Sequence, residues 1–280
     1  MTDLQPADDA AASERAAALE ELEDGAPPSS LWSDAWRELR GRPLFWICAT
    51  IVFVLLVAAV FPGWFTSSDP RAGDLNRSML RPSSDYWWGT TFQGYDMYAR
   101  VIYGARASVA IGLLVTGGTA LIALVLGSIA GYYGGIVDTI IARITDIWFA
   151  VPLLLGAIVL LTVLDGLADR SIWTVSLALI IFGWPTMLRL VRSSVLALRD
   201  ADFVDAARAL GASNSRIITR HILPNALTPL IVFSTITIGV VIAAEATLSF
   251  LGVGLQLPAI SWGLMTVSYT HLTLPTTPYV

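Results

Sequence analysis

The sequence predicts an all-α, polytopic integral membrane protein, and three observations carry that prediction. Of its 280 residues, 55% are hydrophobic and only 14% are charged, whereas about a quarter of a soluble domain is charged. The apolar residues fall in blocks of the length that a bilayer crossing needs. Small residues recur at helical spacing inside those blocks, as in Gly127-Ser128-Ile129-Ala130-Gly131, which lets backbones approach closely in lipid.

Residues 1–30 are Ala-rich and hold eight acids against one base, Arg15. They lack the basic start and apolar core of a signal peptide and read as an acidic, disordered N-terminal tail. The remaining residues carry 14 acids and 16 arginines, so the net charge of −5 belongs to the tail. Residues 31–105 read as an interfacial helix with Trp32, Trp36, Leu39 and three arginines, a first span at about Leu44–Phe61, and a polar external loop. Arg37, Arg40 and Arg42 ahead of the first span place the N-terminus in the cytoplasm, although the external loop carries five arginines of its own.

Residues 106–265 read as the core. Spans are expected at about Ser108–Tyr132, Ile140–Leu164, Ile172–Leu196 and Ala226–Val253, which makes five in all. Pro152 and Pro185 fall within spans and are expected to kink them. No internal repeat is visible, which gives no support to an inverted-repeat secondary transporter.

The loop between the fourth and fifth spans, Ala201–Pro224, is far longer than a connection requires. It parses as two short helices. Asp202 is the expected N-cap of the first, with Asp205 in its first turn. Ala206 and Ala207 favour helix and carry little bulk. Gly211 is placed to end it in a left-handed cap. Ser213 is the expected N-cap of a second, amphipathic helix with Ile217, Ile218 and Ile222 on one side and Arg216 and Arg220 on the other, running to about His221. Pro224 then suits the first turn of the next span. On physical grounds alone the segment is either a docking surface for a partner or a hairpin lying on the membrane.

Several kinds of chemistry are excluded. All 17 basic residues are arginines. A P-loop needs a lysine on the nucleotide phosphates, so ATP cannot be bound here in that way, and Schiff-base chemistry is absent too. One cysteine, Cys48, and two histidines, His221 and His271, cannot build a disulfide within the chain or a zinc site of the usual ligand set. An intramembrane enzyme would have only scattered carboxylates to work with, so the chain is not expected to be an enzyme.

The stretch Asp205-Ala206-Ala207, Gly211, His221-Ile222-Leu223-Pro224 closely resembles the EAA loop of binding-protein-dependent ABC importer permeases. Asp stands here where the family usually has Glu, and His221 replaces the usual apolar residue. The external segment Gly89–Arg106 resembles the C-type subunit of dipeptide and oligopeptide permeases, with Thr91 in place of an Asp and Tyr95 in place of an Arg. Glu245–Gly254 and Ser261-Trp262-Gly263 match the same branch. The likeness covers about Leu31–Met265.

The resemblance implies the type I ABC importer permease fold and a chain that forms half of a translocation pathway in the cell inner membrane. It assigns ATPase coupling to Asp205, Ala206, Ala207, Gly211, Ile217, His221, Leu223 and Pro224. It implies a second permease subunit forming a heterodimer, two ATPase subunits that carry the ATP and Mg, and an external solute-binding protein. No cofactor on this chain and no nucleic-acid partner are expected. Peptides are the leading substrate class, with nickel or another small solute as the alternative.

Two acids lie within spans, where an ionisable group needs a partner. Glu245 is a candidate for the pathway, or it satisfies backbone or arginine donors nearer the external surface. Asp146 is expected to pair with Arg143 or with another span. Past Met265 the family pattern stops. Residues 268–280 are too short and too rich in Thr and Pro to span and read as an artefactual tail on a truncated sequence, with a sixth span lost. His271 carries no functional weight.

Overall fold

A computed structural model describes residues 31–166, 169–256 and 258–270. The acidic tail at 1–30 and the last ten residues, 271–280, lie outside the described residues. The chain divides between Val54 and Leu55 into two compact units. In the first, α1 (Leu31–Arg40) leads into α2 (Pro43–Val60), whose last turns, from Leu55, belong to the second. Trp36, Phe45 and Trp46 meet edge to face there, and the Trp46 indole donates to the Arg40 carbonyl at 3.1 Å.

The second unit is a helical bundle. Its elements are α3 (Met97–Tyr133), α4 (Gly135–Phe149), α5 (Leu153–Val163), α6 (Ile172–Arg199), α7 (Asp202–Ala209), α8 (Asn214–Arg216), α9 (Leu223–Phe250) and α10 (Trp262–Thr270). Four helical stretches, Pro43–Val60, Met97–Tyr133, Ile172–Arg199 and Asn214–Phe250, are long and apolar enough to cross a membrane. The pair α4 and α5 makes a fifth crossing if it is taken as one broken span. The chain is helical as far as Thr270, so α10 reaches into the residues read from sequence as an artefactual tail.

Three expectations change. The second span starts at Met97, earlier than Ser108, because Asp96 caps it: its carboxylate accepts from the amides of Tyr98 and Ala99. A boundary at residue 105 therefore falls inside α3. The third span is not one helix over Ile140–Leu164, since α4 and α5 meet at a bend of 78°. Pro152 is the cause. It lacks the N–H that would continue the ladder and serves as the N-cap residue of α5. The helix expected to end near His221 does not end there. Asn214–Arg216 passes through a π turn, Ile217–Ile222, directly into α9, so the second loop helix and the fifth span are continuous.

Pro185, by contrast, sits inside an unbroken α6. Its missing N–H leaves the carbonyl four residues earlier, Ile181, without its helical donor. The Trp148 indole of α4 supplies one at 2.6 Å. That bond crosses between helices.

Close approach of α3 and α6 organises the bundle. A Cβ added at Gly127 would lie 2.9 Å from the Val191 side chain, and one at Gly131 would lie 2.8 Å from Val195. The GxxxG step is thus occupied by two valines of α6, as dispersion-driven packing in lipid requires. Arg106 of α3 donates to the carbonyls of Ala59 and Val60, which caps the C-terminal end of α2. Two apolar cores result. One contains Ile111, Val115, Leu179 and Leu248. The other contains Val191, Val195, Val204, Ile217, Ile222 and Ala226, and so joins the 201–222 segment to the spans.

Candidate functional site

The first helix of the loop begins at Asp202, with Ala201 as the N-cap residue and no side-chain cap. Asp202 is therefore inside the helix, not its cap as expected. Its carboxylate and that of Asp205 both lie in the first turn, beside the exposed amides. The helix ends in a Schellman motif: Gly211 donates to Arg208 and Ala212 to Ala207. Gly211 has φ +80°, the left-handed conformation that glycine adopts without strain. Ser213 then takes the N-cap position of α8, with its own side chain making no cap bond.

Packing divides the residues of the segment into two sets. Val204, Ala207, Ile217 and Ile222 are buried against α3 and α6. Burying each of the two isoleucines is worth roughly 1.5–3 kcal/mol where the loop would otherwise meet water. Asp205, Ala206, Gly211 and Pro224 are exposed, while His221 and Leu223 are half-buried. Asp205 is paired with Arg208 at 2.6 Å, an exposed i,i+3 contact, of the kind worth only a few tenths of a kcal/mol. The side chains that hold the loop and those that face outward are thus different residues of one short segment.

Two outward residues escaped the sequence reading. Leu210 is 88% exposed and Phe203 is 42% exposed. A large apolar side chain left in water beside a rigid left-handed cap is the signal that could have singled out Leu210.

The loop is tied to the spans by polar contacts too. The Tyr132 hydroxyl, at the end of α3, is 2.9 Å from Asn214 Oδ1. Arg192 of α6 donates twice to Asp138 of α4, at 2.5 and 2.6 Å. Asp146 lies 2.9 Å from Arg189 and 3.6 Å from Arg143, and the Arg189 guanidinium rests 4.0 Å over the Phe149 ring. Arg199 donates to Asp200 and holds that carboxyl below the usual carboxylate range, chiefly through the hydrogen bond.

Glu245 stands apart from all of these. It is fully buried near the far end of α9, and its partners are serine hydroxyls rather than backbone or arginine donors. Ser249 Oγ donates to its Oε1 at 2.8 Å and Ser261 Oγ at 2.9 Å.

Apolar helices long enough to cross a membrane, with a structured loop between two of them, define an integral membrane protein of the α-helical class. The chain belongs to the family of binding-protein-dependent transport system inner membrane components, which it matches over residues 123–279. Residues 30–82 match the N-terminal transmembrane domain of oligopeptide transport permease C. It is 39% identical to the oligopeptide transport system permease protein OppC of Bacillus subtilis, over 84% of this chain and 76% of that one. It is 37% identical to the dipeptide transport system permease protein DppC of Alkalihalophilus pseudofirmus, over 87% and 79% respectively. Identity to the glutathione transport system permease protein GsiD of Escherichia coli is 39%, over 84% and 76%. It is a multi-pass protein of the inner membrane.

Proposed function

We propose that this chain forms one half of the translocation pathway of an ATP-driven peptide importer, and that the rim of the 201–211 segment is where a separate ATPase grips it. One observation carries the reading. The segment is anchored by buried Val204, Ala207, Ile217 and Ile222 while Asp205, Ala206, Leu210 and Gly211 remain exposed. A hairpin lying on the membrane would turn its apolar side chains to lipid, not into the bundle.

In this reading ATP and Mg sit on the ATPase pair, and the N-terminus and the 201–222 segment face the cytoplasm. A second, different permease subunit completes the pathway, and an external binding protein delivers the solute. Closure of the ATPases draws the loops together. The spans then open towards the binding protein. Peptides are favoured as cargo because oligopeptide, dipeptide and glutathione permeases are all among the chain's relatives.

The test is Asp205→Lys in the complete complex. ATP-dependent peptide uptake should fall at least tenfold while insertion of the chain into the membrane is unchanged. Uptake that persisted without any ATPase subunit would sink the proposal.

A further inference from the structure

Glu245 is the one acid of the spans that pairs with no arginine among the described residues, and its surroundings give it a specific task. Beyond α9 the helix ends at Leu251, an irregular stretch with Leu255 buried in the core follows, and Ser261 starts α10. Ser249 precedes that stretch and Ser261 closes it, and both hydroxyls converge on the same oxygen, Glu245 Oε1. Ser261 Oγ also accepts from the Leu264 amide at 3.1 Å, so it caps α10. The next residue fastens the chain to α3: the Trp262 amide donates to Ser108 Oγ at 3.0 Å and its indole to the Val101 carbonyl at 2.9 Å.

Sterics keep the carboxyl in place. A Cβ at Gly263 would come within 2.8 Å of Glu245 Oε2 and 2.5 Å of the Ala246 Cα, so only glycine fits there. Oε2 itself is buried and has no hydrogen-bond partner among the described residues. Leaving a buried acceptor unmade is costly, and an apolar residue at this position would avoid that cost. A pocket of about 250 Å³ is bordered by Val241 and Ala244 but not by Glu245, so contact with cargo in that pocket does not account for the acid.

Glu245 sits on a helix that is continuous with the coupling loop, from Asn214 to Phe250. Resting on the importer reading above, we propose that Glu245 is a positioning residue that carries movement of the coupling loop to the chain at Ser261 and Trp262, and through them to α3 at the opposite end of the bundle.

Ser261→Ala, Glu245→Ala and Glu245→Gln are compared in the full complex reconstituted in lipid. The first readout is amide hydrogen exchange at Val253 and Gly254, which bond to the Leu248 carbonyl and do not touch Ser261. Exchange there should quicken at least tenfold in Ser261→Ala and Glu245→Ala. The second is the ratio of ATPase rate with loaded binding protein to the rate without it. That ratio should fall at least threefold in both, at normal assembly, while Glu245→Gln, which keeps Oε1 as an acceptor, retains more than half. An unchanged ratio in Ser261→Ala overturns the proposal even if exchange quickens, because a purely structural role predicts that pattern. Should Glu245→Ala fail to assemble, Ser261→Ala and Glu245→Gln decide. If the unmodified complex is stimulated by its binding protein but takes up no peptide, the cargo reading fails and the ratio still decides this one.

Discussion

The indole of Trp148 donates to the carbonyl of Ile181, 2.6 Å away on another helix. That carbonyl is the one Pro185 leaves without a helical donor, so a tryptophan on α4 mends a break in the ladder of α6. Trp148→Phe keeps most of the ring and removes only the donor. It should destabilise the chain by about 1 kcal/mol, since interhelical hydrogen bonds in membranes average somewhat less and an orphaned carbonyl somewhat more. Thermal unfolding in detergent should register the loss, and an unchanged midpoint would mean that water or a neighbouring group replaces the indole.

Gly211 has open space around the position of a Cβ, so any penalty for replacing it comes from φ +80° alone. Valine there should cost about 1–2 kcal/mol of local strain, whereas asparagine, which visits the left-handed region, should cost less. Co-purification of the ATPase should therefore fall in the order glycine, asparagine, valine. Equal loss for both replacements would point to a contact with the ATPase rather than to backbone conformation.

Leu210 contributes almost nothing to this chain's own packing. Leu210→Glu should leave stability within about 0.5 kcal/mol of the original, yet weaken ATPase binding about tenfold if the leucine is an anchor of the docked surface. Titration of the purified permease with ATPase subunit measures the second quantity directly, and wild-type affinity in the variant would remove Leu210 from the interface.

The pairs Asp138–Arg192 and Asp205–Arg208 offer a matched comparison. The first is bidentate and mostly shielded, with side chains 19% and 33% exposed; the second is 62% and 49% exposed. A double-mutant cycle should return a coupling energy of about 1 kcal/mol for the shielded pair and no more than about 0.5 kcal/mol for the other. Raising the salt concentration should shrink the second more than the first.

The apolar blocks made most of the spans legible, because length and composition decide a crossing by themselves. The two prolines show where legibility stops. Pro152 and Pro185 look alike in sequence, each inside an apolar block, and both were expected to kink their helices. One breaks its span through 78° and the other sits in an unbroken helix. The carbonyl that Pro185 frees is bonded by Trp148, 37 residues before it, and nothing local announces that partner.

The candidate coupling residues were legible in a similarly uneven way. Gly211 reads as a left-handed cap because few other residues fill that role. The distinction between anchoring Ala207 and outward Ala206 depends on which side the bundle occupies, and two adjacent alanines carry no such label. For Glu245, Ser249 was visible one helical turn away, but Ser261 enters only through the tertiary fold.

The π turn at 217–222 has a consequence for how the chain tolerates changes of length. Buried positions along this helix fall at Ile217, Ile222, Ala226 and Leu230, spaced by five residues, then four, then four. A plain α-helix would ask for four throughout, so the turn harbours one surplus residue. Deleting a single residue between Thr219 and His221 should let the turn relax to α geometry with both buried faces still in phase. Adding one should rotate everything beyond it by about 100° and carry the downstream apolar face out of the bundle. Shortening and lengthening by the same single step are therefore not equivalent here, and relatives that differ in length within this turn should be found on the shorter side.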